Sequence, residues 1–306
     1  MPIPLHPRAE ACGKVILLGE HSVVYGHPAV AAGLPQGVCL QAVPREHAKL
    51  PISLSIPQWQ LELELRADSE HPVARACLEV LTHCDGPVTG WAITGTTCLP
   101  ARAGLGSSAA LTVALARLVL GEHADLDELV DASLAGERVF HGEPSGLDSR
   151  VAAQGGVLRF VRGAGAEPVP LAGPLPLLLI PSNIPRSTAI QVAKVRARLE
   201  RQRSVITPTL SALGAAAEAS IRALAHQDLT ALGELMTIAH HLLGAIDVSS
   251  PALDALQASA LAAGALGAKL TGAGGGGTLL VLPPADPSAL LAAFATYEPL
   301  LVEVQP

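Results

Sequence analysis

The sequence predicts an α+β fold that is divided between two domains, and three observations support this. At 306 residues the chain is longer than a single hydrophobic core usually accommodates. Apolar residues make up 49% of it and charged residues only 15%, a composition typical of densely folded proteins without long disordered segments. Short apolar runs typical of strands, one of them strictly alternating at 61–65, are interspersed with longer runs that have the spacing of helices.

Charge and cysteine content narrow the functional classes. The formal net charge of -7 argues against a nucleic-acid partner, so an anionic substrate would have to be held by local basic residues. The five cysteines form no CxxC pair and no zinc-like spacing, and an odd number disfavours a full disulfide framework. No secretory signal and no uninterrupted apolar run of membrane-spanning length is visible. The sequence therefore predicts a cytoplasmic protein that binds neither membranes nor nucleic acids.

The predicted elements follow one another in a mixed order. Strands are predicted at 14–18, 38–43, 52–56, 61–65, 91–99, 156–161, 177–180, 268–271, 278–282 and 300–304. Helices are predicted at 71–84, 109–120, 125–140, 189–203, 209–225, 228–246, 251–263 and 287–295. Glycine and proline concentrate between 162 and 176, which places the domain boundary there and gives domains 1–169 and 170–306.

A glycine- and serine-rich loop precedes the apolar helix 109–120. Gly104 and Gly106 allow close approach of the backbone to a ligand, and Ser107 and Ser108 are good helix N-caps. Because the start of a helix offers unpaired N–H groups and the positive end of its dipole, the loop suits a phosphate. A turn that merely caps a core helix is the alternative.

The common nucleotide loops do not fit this stretch. A Walker A loop is absent, since Gly13-Lys14 is followed by Val15. Residues 104–109 match the relaxed dinucleotide fingerprint, but they do not directly follow a strand and lie outside a βαβ unit, which disfavours a dinucleotide-dependent oxidoreductase. A second glycine run at 272–277 joins two strands, either as a plain hairpin linker or as the second wall of a nucleotide cleft.

Three charged residues could carry chemistry. Lys14 opens a buried strand, so its ammonium must reach solvent or meet a carboxylate, for which Asp148 is a candidate. Glu137 lies near the apolar side of the helix 125–140. Mg²⁺ prefers oxygen ligands and is usually held by one or two protein groups plus substrate phosphates, so Ser108 and one carboxylate would be sufficient. The alternative is that both carboxylates are surface acids.

Three motifs together resemble the GHMP kinase superfamily, which is named for galactokinase, homoserine kinase, mevalonate kinase and phosphomevalonate kinase. They lie at 11–26, 100–110 and 269–277, in the family's order and over almost the whole chain. The segments 136–148, 184–188 and 240–248 are similar to the mevalonate kinases in particular, and the length of the chain is nearer that of the compact prokaryotic members. Cys12, Ser149 and Thr278 replace the Pro, Asn and Cys that are common in the family, and none of these changes removes a group with a chemical role.

The resemblance implies an N-terminal ribosomal-protein-S5-like α/β domain, a C-terminal ferredoxin-like domain and ATP bound between them. The implied reaction transfers the γ-phosphoryl group of ATP to the 5-hydroxyl of (R)-mevalonate, giving 5-phosphomevalonate. The implied nucleotide-binding residues are Pro100, Ala101, Arg102, Ala103, Gly104, Leu105, Gly106, Ser107, Ser108, Ala109 and Ala110.

The resemblance also implies roles for individual side chains. Ser108 and Glu137 would hold Mg²⁺, Asp148 would act as general base, and Lys14 would orient Asp148 and keep it ionised. The implied mevalonate-binding residues are Glu20, His21, Ser145, Arg186 and Thr188.

Two alternatives within the superfamily stay open. Phosphomevalonate, galactose or homoserine could be the acceptor, although the segments 141–148 and 185–188 weigh against these. A non-catalytic, ligand-binding member would be expected to lose Lys14 or Asp148, and both are present. The sequence leaves the oligomeric state open, with a homodimer as one form.

Overall fold

The computed structural model describes residues 4–99, 104–185 and 187–306, which form two compact units interleaved along the chain. The first unit contains the described residues 4–14, 35–99 and 105–155. The second contains 15–34, 104, 156–185 and 187–306. Strands β1 (Arg8–Leu18) and β2 (Ala29–Pro44) each contribute residues to both units.

The first unit combines a sheet with a layer of helices. Its further elements are β3 (Ile52–Ile56), β4 (Leu61–Leu65), α1 (Pro72–His83), β5 (Trp91–Thr97), α2 (Ser107–Leu120), α3 (Leu126–His141) and α4 (Leu147–Gln154). The strand order is β4-β3-β5-β2, with β3 parallel to β5 and the other two pairs antiparallel, and β1 pairs with β2. The apolar face of the sheet supplies Ile52, Leu54, Ile56 and Ile93 to the core.

Local capping explains where two of these helices begin. The imidazole of His71 accepts a hydrogen bond from the Val73 N–H, and the Asp125 carboxylate accepts from the N–H groups of Asp127 and Glu128. Helix α2 is buried along most of its length, in keeping with its apolar sequence. Helices α1 and α2 both pack against α3, so α3 holds a fixed position in the layer.

The second unit is built on a four-stranded antiparallel sheet. Its further elements are β6 (Val157–Val161), β7 (Gly165–Pro168), β8 (Leu175–Pro181), α5 (Thr188–Arg201), α6 (Arg203–Ala225), α7 (Leu229–Ala245), α8 (Pro251–Ala262), β9 (Gly267–Thr271), β10 (Thr278–Leu282), α9 (Ser288–Ala293) and β11 (Leu300–Val304). The order of the sheet is β11-β8-β10-β9, so β9 is an edge strand. Leu178, Ile180, Leu279 and Phe294 belong to the core between this sheet and its helices.

Most predicted elements are confirmed, and five differ clearly. Strand β1 begins at Arg8 and strand β2 at Ala29, well before the predicted starts at 14 and 38. Helix α4 and strand β7 were not predicted, because α4 has only eight residues and β7 lies in the glycine-rich stretch assigned to the boundary. Helix α6 begins at Arg203 and continues through Pro208, whereas the predicted helix began after this proline, at residue 209. Within the described part of the chain, no helix is both long enough and apolar enough to cross a membrane.

Candidate active site

Lys14 is held in the first unit by the close approach of a glycine loop to strand β1. Its backbone N–H donates a 2.7 Å hydrogen bond to the carbonyl of Leu105. Gly106 adopts a φ of +73°, and a Cβ added there would lie 2.9 Å from the Lys14 Cβ. The sequence therefore needs glycine at this position both for the backbone conformation and for the room that Lys14 occupies.

The Lys14 ammonium pairs with Asp148, the partner that the sequence suggested. Nζ lies 2.9 Å from Asp148 Oδ1, and the Lys14 side chain is 5% exposed while that of Asp148 is 38% exposed. Asp148 stands in the first turn of α4, where the helix dipole favours a negative charge. The pair thus joins a buried cation to a carboxylate that a ligand can reach.

The serines of the loop do not cap helix α2 as predicted. Gly106 is the N-cap in the left-handed conformation, and Ser107 and Ser108 lie inside the first turn without a capping hydrogen bond. Glycine takes the cap because the chain must turn there with a positive φ. The Ser108 hydroxyl donates instead to Glu137 Oε2 over 3.3 Å.

Gly104, Leu105, Gly106, Ser107, Ser108, Ala109 and Ala110 of the predicted nucleotide loop are described, whereas Pro100, Ala101, Arg102 and Ala103 lie outside the described residues. The amide groups at 107–109 have no acceptor within the helix, because the first turn of any helix leaves them unpaired. This end of α2 can therefore accept an anion.

Glu137 is a buried carboxyl rather than a surface acid. It lies on α3 and is 2% exposed, and its Oε1 has no hydrogen-bond partner among the described residues. Burial raises the pKa of Glu137 to about 8, and the negative charge of Asp148 adds to this against the opposing effects of Ser108 and Lys14. A nearby cation would stabilise the ionised form of such a buried carboxyl.

Sequence reasoning did not single out His141 as a neighbour of Glu137. His141 Nε2 lies 3.6 Å from Glu137 Oε2, and the imidazole is 41% exposed. The spacing of four residues on one helix was the available signal. No group of three or more His, Cys, Asp or Glu side chains forms a metal-binding cluster in the described residues. A cation here would be held by Glu137 and Ser108 together with ligands from a substrate.

Of the remaining predicted substrate residues, Ser145 belongs to the first unit. It is exposed, and its Oγ accepts a 3.3 Å hydrogen bond from the Leu147 N–H at the start of α4. Thr188 is an exposed residue of the second unit at the start of α5. Arg186 lies outside the described residues.

Glu20 and His21 follow strand β1 in the second unit, and both are buried. Glu20 forms an ion pair with Lys269, a residue whose charge the sequence analysis did not use. His21 has a φ of +61°, and its Nε2 lies 2.9 Å from the carbonyl of Ala273. The sequence feature that could have identified Lys269 is a single charged residue in a strand of otherwise uncharged residues.

The second glycine run forms the connection between β9 and β10 and lies close to other backbone of the second unit. Gly275 N–H donates to the Val248 carbonyl over 2.8 Å, and Gly277 N–H donates to that of Ile184 over 3.0 Å. A Cβ on Gly274 would lie 2.0 Å from the Val248 oxygen, and one on Gly276 would lie 2.5 Å from the Ile184 oxygen. Contacts inside the second unit therefore require glycine at these two positions.

Comparisons with known proteins show the family of the chain. A family model described as GHMP kinases N terminal domain matches residues 72–156, and one described as GHMP kinases C terminal matches 220–299. The mevalonate kinase of Pyrococcus horikoshii is 36% identical over 297 residues, which cover 90% of this chain and 88% of that protein. The mevalonate kinase of Mus musculus is 30% identical over 341 residues, which cover 89% of this chain and 85% of that protein.

A solved structure is similar over the full length. The crystal structure of L. major mevalonate kinase in complex with R-mevalonate has a TM-score of 0.87 and 27% sequence identity, and the match covers 100% of this chain and 99% of that one. The similarity therefore includes the described residues of both units.

Proposed function

Because the chain belongs to the mevalonate kinase family of the GHMP kinases, we propose that it phosphorylates (R)-mevalonate on the 5-hydroxyl to give 5-phosphomevalonate. The protein is a kinase of this family, and ATP is its phosphoryl donor. The two-domain α+β GHMP kinase architecture expected from the resemblance is confirmed by the family models and by the structural match. The observation that carries the proposal is the Lys14–Asp148 pair beside the Ser108–Glu137 hydrogen bond.

Asp148 is the proposed general base. In the proposed transfer, the O–H bond of the 5-hydroxyl breaks as the Asp148 carboxylate takes the proton, and the hydroxyl oxygen bonds to the γ-phosphorus. The bond between that phosphorus and the β,γ-bridging oxygen breaks to release ADP. The partial exposure of Asp148 supports this role, since a substrate can reach the carboxylate. Because phosphoryl transfer depends mainly on positioning and charge, orienting the hydroxyl is part of the same role.

Lys14 is the proposed partner of both the base and the phosphates. Its contact with Asp148 Oδ1 fixes the orientation of the carboxylate. Its ammonium is nearly buried, so its charge is only weakly screened and can stabilise negative charge that develops on the transferred group.

Ser108 and Glu137 are the proposed protein ligands of Mg²⁺. The fit is supported by the unpaired buried Oε1 of Glu137 and by the Ser108 hydroxyl beside Oε2, since both offer the hard oxygen atoms that this cation prefers. When bound, Mg²⁺ would neutralise charge on the β- and γ-phosphates. The open amide groups at the start of α2, with Gly104 and Gly106 before them, are the proposed phosphate cradle.

Glu20, His21, Ser145, Arg186 and Thr188 are the proposed mevalonate-binding residues, with Arg186 as partner of the substrate carboxylate. The proposed domains are residues 1–169, which contain the phosphate loop and the base, and residues 170–306. The protein is proposed to act in the cytoplasm, and a homodimer is the proposed assembly.

A panel of acceptors tests the function. Formation of ADP is followed in a coupled assay with mevalonate, phosphomevalonate, homoserine or galactose as the only acceptor. Mevalonate is expected to give the highest kcat/KM, and mass spectrometry of the product is expected to show one added phosphoryl group. Turnover of another acceptor without turnover of mevalonate would refute the assignment.

A further inference from the structure

Among the described residues of the second unit, Lys269 has the largest side chain that is completely buried. It stands on strand β9 with 0% exposure, between residues that are also fully buried. Its ammonium donates one hydrogen bond to Glu20 Oε1 and a second, of 2.7 Å, to the carbonyl of Leu270. The charge therefore lies deep in an apolar environment, with Glu20 as its counter-ion.

Stability of the fold does not explain this ion pair. Taking two charges out of water costs several kcal/mol, and replacing a buried pair by apolar side chains is often neutral or stabilising. Burial lowers the pKa of Lys269, and the charge and hydrogen bond of Glu20 oppose that effect. A fully buried strand whose other side chains are uncharged has no packing need for an ammonium group. The pair therefore points to a role for the carboxylate it holds.

Glu20 is held by one oxygen only. Oε1 receives the Lys269 hydrogen bond, whereas Oε2 is buried and has no partner among the described residues. An unpaired carboxylate oxygen removed from water is costly unless a donor arrives. An alcohol can donate a hydrogen bond to it, whereas an ionised carboxylate or phosphate cannot. The open acceptor therefore matches a hydroxyl group of a ligand.

Edge strand β9, which carries Lys269, is also held by hydrogen bonds to residues outside its sheet. His240 Nδ1 accepts a 3.2 Å hydrogen bond from the Leu270 N–H, so the proton of the neutral ring is on Nε2, which faces Asp254 at 3.1 Å. The Thr271 hydroxyl donates to the Ile16 carbonyl over 3.0 Å. Edge strand β9 is thus held at two successive residues, which fixes the backbone from which Lys269 reaches Glu20.

We infer that Lys269 is a positioning residue that holds Glu20 as an oriented carboxylate, so that Oε2 accepts a hydrogen bond from a hydroxyl of the acceptor substrate. This inference rests on the proposed function, because mevalonate is such an alcohol. Lys269 acts through Glu20 and does not itself touch the substrate.

The test compares Lys269→Met, Glu20→Gln and the double variant with wild type, and Lys49→Met serves as a control that removes an exposed lysine. In Lys269→Met the buried carboxylate loses its cation and takes up a proton near neutral pH. The KM for mevalonate is then expected to rise about 10- to 100-fold, the usual effect of losing a hydrogen bond to a charged group. The rise should be larger at lower pH, and the KM for ATP should not change.

An infrared difference measurement without substrate separates this inference from the proposed function. Relative to wild type, in which Glu137 already contributes such a band, Lys269→Met should show an additional carbonyl band of a protonated carboxyl at neutral pH, and the double variant should not show this addition. Absence of this band in folded Lys269→Met, together with an unchanged KM for mevalonate, would overturn the inference. The band would still be expected if the acceptor panel showed that mevalonate is not the substrate.

The double variant keeps the inference testable if Lys269→Met does not fold. Since both charges are then removed together, no uncompensated charge is buried. If Lys269 acts only through Glu20, the double variant and Glu20→Gln share the same KM for mevalonate. A much higher KM in the double variant would show that Lys269 has a different role and would refute the inference.

Discussion

Lys14 and Asp148 form an ion pair of unequal exposure, with Nζ 2.9 Å from Oδ1 and side chains that are 5% and 38% exposed. The buried ammonium is therefore fixed, while the carboxylate keeps one side open to a ligand. A general base must be within reach of the proton it takes and must keep a defined orientation. This asymmetry is the reason for the first prediction.

Asp148→Asn is expected to lower kcat by about 10²- to 10⁴-fold, the usual contribution of a general base, because an amide cannot take the hydroxyl proton. The KM for ATP should stay near that of wild type, since the start of α2 is unchanged. Steady-state kinetics checks both values. Asp131→Asn, which changes an exposed acid on α3, is the control and should behave as wild type. A kcat close to that of wild type in Asp148→Asn would contradict the base assignment.

Glu137→Gln is expected to raise the Mg²⁺ concentration that gives half-maximal activity. The pKa of Glu137 is raised to about 8, chiefly by burial, so below that pH the metal must displace a proton. In wild type the required Mg²⁺ concentration should therefore rise as pH falls, by up to about tenfold per pH unit. In Glu137→Gln the required Mg²⁺ concentration should not rise in this way as pH falls. The required concentrations of wild type and Glu137→Gln should therefore differ most at high pH.

Titrations of activity with Mg²⁺ at constant total ATP, repeated across pH, measure this difference. Glu143→Gln changes an exposed carboxylate on the loop after α3 and is the matched control. Parallel curves for wild type and Glu137→Gln at all pH values would exclude Glu137 as a ligand.

The motifs of the sequence identified the residues of the first unit that meet in space. Because Lys14 opens a buried strand, its ammonium was expected either to reach solvent or to pair with a carboxylate, and it pairs with Asp148. Ser108 and Glu137 were paired through the resemblance, and their hydrogen bond is present. Their catalytic roles stay predictions. Local sequence was informative here because Lys14, Ser108 and Glu137 stand on or beside strongly patterned elements.

Other features depend on contacts that no local pattern reveals. The Lys269–Glu20 pair joins residues that are 249 positions apart. Helix α4 begins at a glycine N-cap without a side-chain cap, so the usual start signal is missing. The pKa of Glu137 follows from its burial and from Asp148, Ser108 and Lys14, which the apolar spacing of α3 alone does not give.

Glu137 should also make the stability of the metal-free protein depend on pH. The folded pKa of about 8 lies above the ordinary 4.5, so between these values the folded state binds a proton that the unfolded state does not. The free energy of unfolding should therefore fall as pH rises through this window, by up to about 1.4 kcal/mol per pH unit from this group. Glu137→Gln should remove that contribution.

Urea unfolding in the presence of EDTA, at several pH values, checks this prediction. The quantity of interest is the difference in slope between wild type and Glu137→Gln, since the other titrating groups are common to both. Equal slopes would show that the Glu137 carboxyl titrates in the same way in the folded and unfolded chains.

Gly106→Ala is expected to reduce both stability and kcat. The φ of +73° costs a residue with a Cβ about 1–2 kcal/mol. The new Cβ would also lie 2.9 Å from the Lys14 Cβ, so strand β1 must shift and carry the ammonium away from Asp148.

Gly163→Ala is the control, because Gly163 has a φ of +85° and a Cβ there would meet nothing within 4 Å. In urea unfolding, Gly163→Ala should lose only the stability that its backbone conformation costs, Gly106→Ala should lose more because of the contact with Lys14, and only Gly106→Ala should lose kcat. An equal kcat in the two variants would mean that the loop does not position Lys14.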